Sequence, residues 1–298
     1  MPRRPTDTYA ILLAALAGFM TAAVASDLPP DPNEVETITV EQARKLAGRK
    51  TALLEMRRLG ALPADVAGEL AAFQGAGLAL DGLQSLEPDA ARALATFPGQ
   101  TLSLKGLVEL PPDVAEALAG KANGIVMLDG LRRLSPESAR KLASFPGRLL
   151  LLNGLEELSP ETAAALASFQ GASLRLGGLT EISDEAAAAL AASEADGLSL
   201  DGLDALSVPA ARSLAGYRGA VLTLNGLATL PVETATELTA FGGKLLALDL
   251  VYALSPAEAR AVAGFRGERL SLGGLRELSA DAAAELRKNP AIGFQGSR

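Results

Sequence analysis

The sequence contains no cysteine, no histidine and no tryptophan. Without cysteine there is no disulfide, no thiolate nucleophile and no lipidated N-terminal cysteine. Without histidine there is no Ser-His-Asp arrangement, no imidazole proton shuttle and no zinc-finger ligand set. Any catalysis would have to rest on carboxylates, Lys, Tyr or Ser. The chain is therefore read as non-enzymatic, with no cofactor and no metal. Aromatic residues make up 4% of the 298, so a core has to be built from Leu and Ala. Positive charge is scarce as well: the net charge is −8, and −9 once a segment carrying Arg3, Arg4 and Asp7 is removed. That balance argues against nucleic acid or an anionic membrane as partner.

What is present is repetition. The stretch LLLNGLEELSPETAAALASFQGAS, residues 150–173, sets a 24-residue pattern that recurs ten times without insertion or deletion. The repeats begin at Leu54, Leu78, Leu102, Val126, Leu150, Leu174, Leu198, Leu222, Leu246 and Leu270. With 49% apolar and 21% charged residues, the chain has the material for an ordered core.

Residues 1–25 read as a signal peptide: Arg3 and Arg4, then the apolar run AILLAALAGFM, then Ala23-Val24-Ala25 as a cleavage site before Ser26. This predicts an extracytoplasmic protein, whether periplasmic, surface-bound or secreted. An uncleaved N-terminal anchor is the alternative, although the run is short for a span of about 20 residues. Residues 26–37 are Pro-rich and acidic and read as an extended leader without packed structure. Residues 38–53 match the second half of a repeat and read as an N-terminal cap, with Thr39 and Gln42 at capping-box spacing.

Within each repeat of the solenoid, residues 54–286, positions one and three are apolar, the period-two signature of a short strand with one buried face. Position five is Gly in eight of ten repeats, as in Asp81-Gly82 and Asn153-Gly154, and is read as a turn that uses left-handed backbone. Leu at positions six and nine returns to the core. Ser-Pro pairs such as Ser159-Pro160 mark a helix start, and Asp or Glu at position twelve sits at the positive helix end, the alternative being an acidic binding ridge. Position fourteen is Ala in all ten repeats, which reads as close packing. Phe at position twenty predicts a stacked aromatic column, followed by a Gly that frees the backbone for the return. Residues 287–298 read as a C-terminal cap and tail, broken by Pro290, with AIGFQGSR frayed.

Strand, turn and helix in 24 residues, joined by short returns, predict an α/β right-handed solenoid with a parallel sheet on one face and short helices on the other. The unit LRLGGLTEISDEAAAALA, Leu174 to Ala191, resembles the leucine-rich repeat LxLxxCxxITDxGLxxLA of bacterial cysteine-containing and GALA-like subtypes. The resemblance runs from about Ile38 to Leu286. It implies a horseshoe with the sheet on its concave face, where a partner protein usually binds. Leu179 stands where that family has Cys or Asn, so the side-chain ladder that commonly supports the turn is missing from position six.

The function expected is a scaffold that binds an unidentified protein or glycan on the concave sheet. A self-associating surface component and a carboxylate-based glycan hydrolase are the alternatives, and oligomeric state is open. Positions two and four point outward, and in the reference repeat Leu151, Asn153, Glu156 and Glu157 are expected to be free. Four position-four carboxylates, Asp81, Asp129, Asp201 and Asp249, invite a cation-site reading, but nothing gathers the several oxygens a hard cation needs. Residues that break the repeat are the candidate partner-binding set: Glu55, Arg57 and Arg58, Arg132 and Arg133, Arg175, and Leu250 with Tyr252. Arg and Tyr are favoured interface anchors.

Overall fold

The computed structural model describes residues 31–294, so the segment read as a signal peptide, the first five residues of the leader and the last four residues lie outside the described part. Eleven strands form one parallel sheet in strict chain order apart from a side pair: β1 (Leu53–Glu55), β2 (Gly77–Ala79), β3 (Thr101–Ser103), β4 (Ile125–Met127), β5 (Leu149–Leu151), β6 (Ser173–Arg175), β7 (Gly197–Ser199), β8 (Val221–Thr223), β9 (Leu245–Ala247), β11 (Leu270–Leu272) and β13 (Ile292–Phe294). The side pair, β10 (Ala253–Leu254) and β12 (Glu277–Leu278), forms a separate two-stranded ladder. A helix of seven or eight residues follows each repeat's strand, and an additional helix, Val40–Ala47, precedes them all. Register advances by 24 residues per strand, as in Leu150 opposite Leu174, until the last step, where Leu270 faces Ile292 after 22. The sheet lies on one side, the helices on the other, and the core between them is the continuous Leu and Ala layer.

The local signals act as their chemistry demands. Thr39 accepts from the N–H of Gln42 while Gln42 Oε1 accepts from the N–H of Thr39, closing the capping box. Ser255 closes the same kind of box with Glu258, while Ser159 caps its helix by accepting from the N–H of Thr162 alone. Every position-fourteen Ala is buried, and from Ala67 to Ala259 exposure is at most 1%, because neighbouring helices approach there.

The two glycine columns work by closeness, not by left-handed backbone. Among the described residues only Gly124 has a positive φ, at 86°. A Cβ on Gly154 would lie 1.9 Å from the carbonyl oxygen of Asp129, and one on Gly178 would lie 2.1 Å from that of Asn153. Position five is thus where the turn of one repeat rests on the turn of the previous one. At position twenty-two the obstacle is the aromatic ring two residues earlier: a Cβ on Gly171 would stand 2.1 Å from Cζ of Phe169.

The aromatic column exists as three stacked pairs, Phe73 with Phe97, Phe145 with Phe169 and Tyr217 with Phe241, each with centroids 6.3 Å apart. Lys121 and Ser193 interrupt it. Lys121 is fully buried, and its Nζ donates to the carbonyls of Phe97 and Gly99 at 2.9 Å each. Burial pushes its ammonium below the usual lysine range. Tyr217 donates its hydroxyl to the carbonyl of Ala195 at 2.7 Å, and its pKa is raised by burial first and by Asp196 second.

Two expectations at the ends are corrected. The later part of the leader is packed: Val35 is 5% exposed within the core, and the Glu36 carbonyl accepts from the N–H of Gly60. A buried Val is enough to fasten an otherwise polar segment. At the other end Ile292–Phe294, read as frayed, pairs with Leu270–Leu272 and buries Ile292 and Phe294. Asn289 makes this possible by donating its amide to the carbonyls of Ala263 and Phe265, doing for the last turn what Lys121 does for the third.

Candidate functional site

Position four carries a ladder. The N–H of Asn153 donates to Asp129 Oδ1 at 3.0 Å, and Asn153 Oδ1 accepts the N–H of Gly177 at 3.0 Å. The same link joins Asp81 to Lys105, Asp201 to Asn225, Asn225 to Asp249, and Asp249 to Gly273. The support that the subtype motif puts at position six is supplied here from position four, while Leu fills position six. These carboxylates therefore serve the scaffold. Asp81 and Asp249 also accept the hydroxyls of Ser103 and Ser271 at 2.6 Å. Among the described residues no group of three or more His, Cys, Asp or Glu is gathered as metal ligands would be. Asn153 is thus not free for a ligand, and Leu151, at 9% exposure, is largely covered by its neighbours on the sheet.

The residues that break the repeat fall in four separate places. Glu55, on β1, pairs with Arg57 at 3.0 Å, and Arg58 pairs with Glu36 of the leader. In the fourth repeat Arg132 reaches Glu156 of the next turn at 2.9 Å, with exposed Arg133 beside it. Arg175 projects exposed from β6 on the sheet face. Leu250 and Tyr252 are 53% and 49% exposed in the ninth repeat. Five repeats separate Arg132 from Tyr252, roughly 24 Å along the sheet at ~4.8 Å per strand, so these residues do not form one patch. The ninth-repeat departure has a backbone use: the carbonyl of Tyr252 accepts from the N–H groups of both Arg276 and Glu277, where the side pair of strands forms.

The structure adds a feature absent from the candidate set. On the outward face of β1 to β4 lies an open hollow of about 440 Å³. Its floor is Gly77, Ala79, Thr101 and Ser103; Leu53 and Glu55 wall one side and Met127 the other, with Asp81 and Lys105 at one end. Leu53 is 47% exposed at its rim. Two adjacent strands with small outward residues, flanked by strands with large ones, make a dent. That signal was legible in the residues just before position one and at position two. Glu55 is the one member of the candidate set that lines it.

No protein-family model matches the sequence, and no curated protein matches it either. Solved structures do match. A chain of the Toll–Spatzle complex of Drosophila superimposes with a TM-score of 0.50 at 14% identity, covering 87% of this chain and 40% of that one. The fold is a right-handed leucine-rich-repeat solenoid. Its parallel sheet forms the concave face and its short helices the convex one. A leucine-rich repeat-containing protein from Legionella pneumophila gives 0.49 at 16% identity over 79% of this chain and 88% of that one. An internalin from Listeria monocytogenes gives 0.47 at 13% over 96% and 75%. The leucine-rich-repeat chain spans less than half the length of the Toll chain it matches.

Proposed function

We propose that this leucine-rich-repeat chain is an exported, non-enzymatic scaffold that holds a partner protein on its concave sheet, with the hollow over β1 to β4 as the seat. The hollow carries the reading. It offers apolar walls from Leu53 and Met127, a floor of small residues that admits a side chain, and the polar groups of Glu55 and Lys105 to fix orientation. Arg57 of the first repeat holds Glu55. Export rests on the N-terminal segment, and no described helix is long and apolar enough to cross a membrane. The glycan-hydrolase alternative gains no support on the sheet face, where the ladder engages Asp81, Asp129, Asp201 and Asp249.

Affinity capture from an extracytoplasmic fraction tests this. Ala79→Trp fills the hollow, and Thr223→Trp places the same bulk on the sheet face five to six strands away. The expected result is loss of the captured partner, tenfold or more as for a blocked anchor pocket of about 1.4 kcal/mol or greater, with Ala79→Trp alone. Equal recovery by both variants refutes the site.

A further inference from the structure

Each turn of the solenoid has two sides. On one, strands end and helices begin; on the other, helices end and strands begin. These edges carry opposite charge. On the first, in repeats five to seven, Glu156, Glu157, Glu161, Glu181, Glu185 and Asp204 are all exposed, and positions five to twelve of those repeats hold no Lys or Arg. On the opposite edge, in repeats seven to nine, Arg218, Lys244, Arg266 and Arg269 are exposed, with Glu268 the one acid between them. Helix ends favour this segregation, since acids suit N-termini and cations suit C-termini. Whatever its origin, the molecule presents complementary edges.

The acidic edge also has a shape. An open groove of about 470 Å³ lies between the turns of the fifth and sixth repeats, lined by Glu156, Glu157 and Glu181 with half-buried Leu158 and Ile182. Glu156 is held by Arg132 of the fourth repeat, so an arginine entering this groove lays its stem on the apolar residues and its guanidinium on Glu157 and Glu181.

We propose that the partner of the acidic edge is the basic edge of a second copy of this chain, so that solenoids associate side by side. The two charged stretches are offset by about two repeats, roughly 10 Å at ~4.8 Å per strand, so a parallel neighbour displaced by that amount brings them together. The contact is heterologous: in any pair one copy keeps its basic edge free and the other its acidic edge, so it propagates into a row. It uses the edges and leaves the concave hollow open, so it stands or falls independently of partner capture there.

Sedimentation of the purified chain at about 20 mM and about 300 mM salt tests it, since charge attraction at the surface is screened beyond roughly 10 Å already near 0.1 M. Wild type sediments as species of at least twice the monomer mass at low salt and as monomer at high salt. Arg218→Glu, Lys244→Glu, Arg266→Glu and Arg269→Glu together abolish the low-salt species, and so do Glu157→Lys, Glu181→Lys and Asp204→Lys together. Mixing the two variants restores association, which neither shows alone. If one variant fails to fold, the salt response of wild type and the other variant still decide. A wild type that is monomeric at low salt, an association indifferent to salt, or one that survives either reversal overturns the proposal.

Discussion

Wherever the chain places an aromatic residue at the end of a helix it places Gly two residues later, and wherever the aromatic is missing so is the Gly. Phe73 pairs with Gly75, Phe97 with Gly99, Phe145 with Gly147, Phe169 with Gly171, Tyr217 with Gly219, Phe241 with Gly243 and Phe265 with Gly267. The exceptions are matched: Lys121 with Asn123, Ser193 with Ala195, Asn289 with Ala291. The cause is the ring that lies where a Cβ would be, 2.2 Å away at Gly99. The correlation is visible in the sequence, but its physical reason is not, since an isolated Gly reads equally well as a turn. Lys121→Phe alone drives a ring into the Asn123 side chain and costs about 1–3 kcal/mol as overpacking. Adding Asn123→Gly clears the space and lets the ring join Phe97 and Phe145. Denaturant unfolding of the two single variants and the double variant should show a favourable coupling of about 1–3 kcal/mol. Additive effects would mean that ring and glycine do not share the site.

At the scale of elements, strands, helices and their order were legible because each repeat states them again: ten period-two strands, each followed by a Leu or Ile at position nine and a Ser or Pro helix start in nine of them, leave little room for another reading. The position-four ladder was not legible, because it joins residues 24 apart through a side chain that also suits a turn. Its composition follows from electrostatics. No two adjacent repeats both carry Asp at position four: Lys105 separates Asp81 from Asp129, and Asn225 separates Asp201 from Asp249. Strands ~4.8 Å apart would bring two carboxylates close enough to repel. Asn153→Ala removes the acceptor for the N–H of Gly177 and costs about 1 kcal/mol. Asn153→Asp keeps the acceptor but adds a charge next to Asp129. Repulsion then raises a carboxyl pKa in the folded state above its unfolded value near 3.9, so the missing stability returns as pH falls below that value and is lost as pH rises through the folded pKa. Melting of wild type and both variants from about pH 3.5 to 7 checks it. A pH-independent deficit in Asn153→Asp would remove repulsion as the reason for the alternation.

For the molecule as a whole, the repeat that defines the architecture says least about function. Where binding can occur depends on departures from uniformity, and reading them one residue at a time favours charged side chains such as Arg57 or Arg132 that the structure shows in ion pairs. The hollow arises instead from what two neighbouring repeats lack together, so it becomes legible only when columns are compared across repeats. The same one-dimensional logic governs stability. Each helix packs on its immediate neighbours and each strand pairs only with the next. Removal of residues 150–173, one full period, therefore joins Leu149 to Leu174 with register, ladder direction and core layer intact. The shortened chain should fold and unfold in one transition, with a denaturant m-value lower by about a tenth, in proportion to the surface lost. Removal of residues 31–47 deletes no repeat but uncovers Leu54, Ala67 and Leu70, which are at most 2% exposed, and takes away the ion pair between Arg44 and Glu69. Loss of that cap should lower stability more than loss of a complete central repeat and should blur the transition by fraying the first repeat. Equilibrium unfolding of the two deletions side by side decides it: a milder effect from removing the cap than from removing the repeat would mean that the first layer does not need the shield that the half repeat provides.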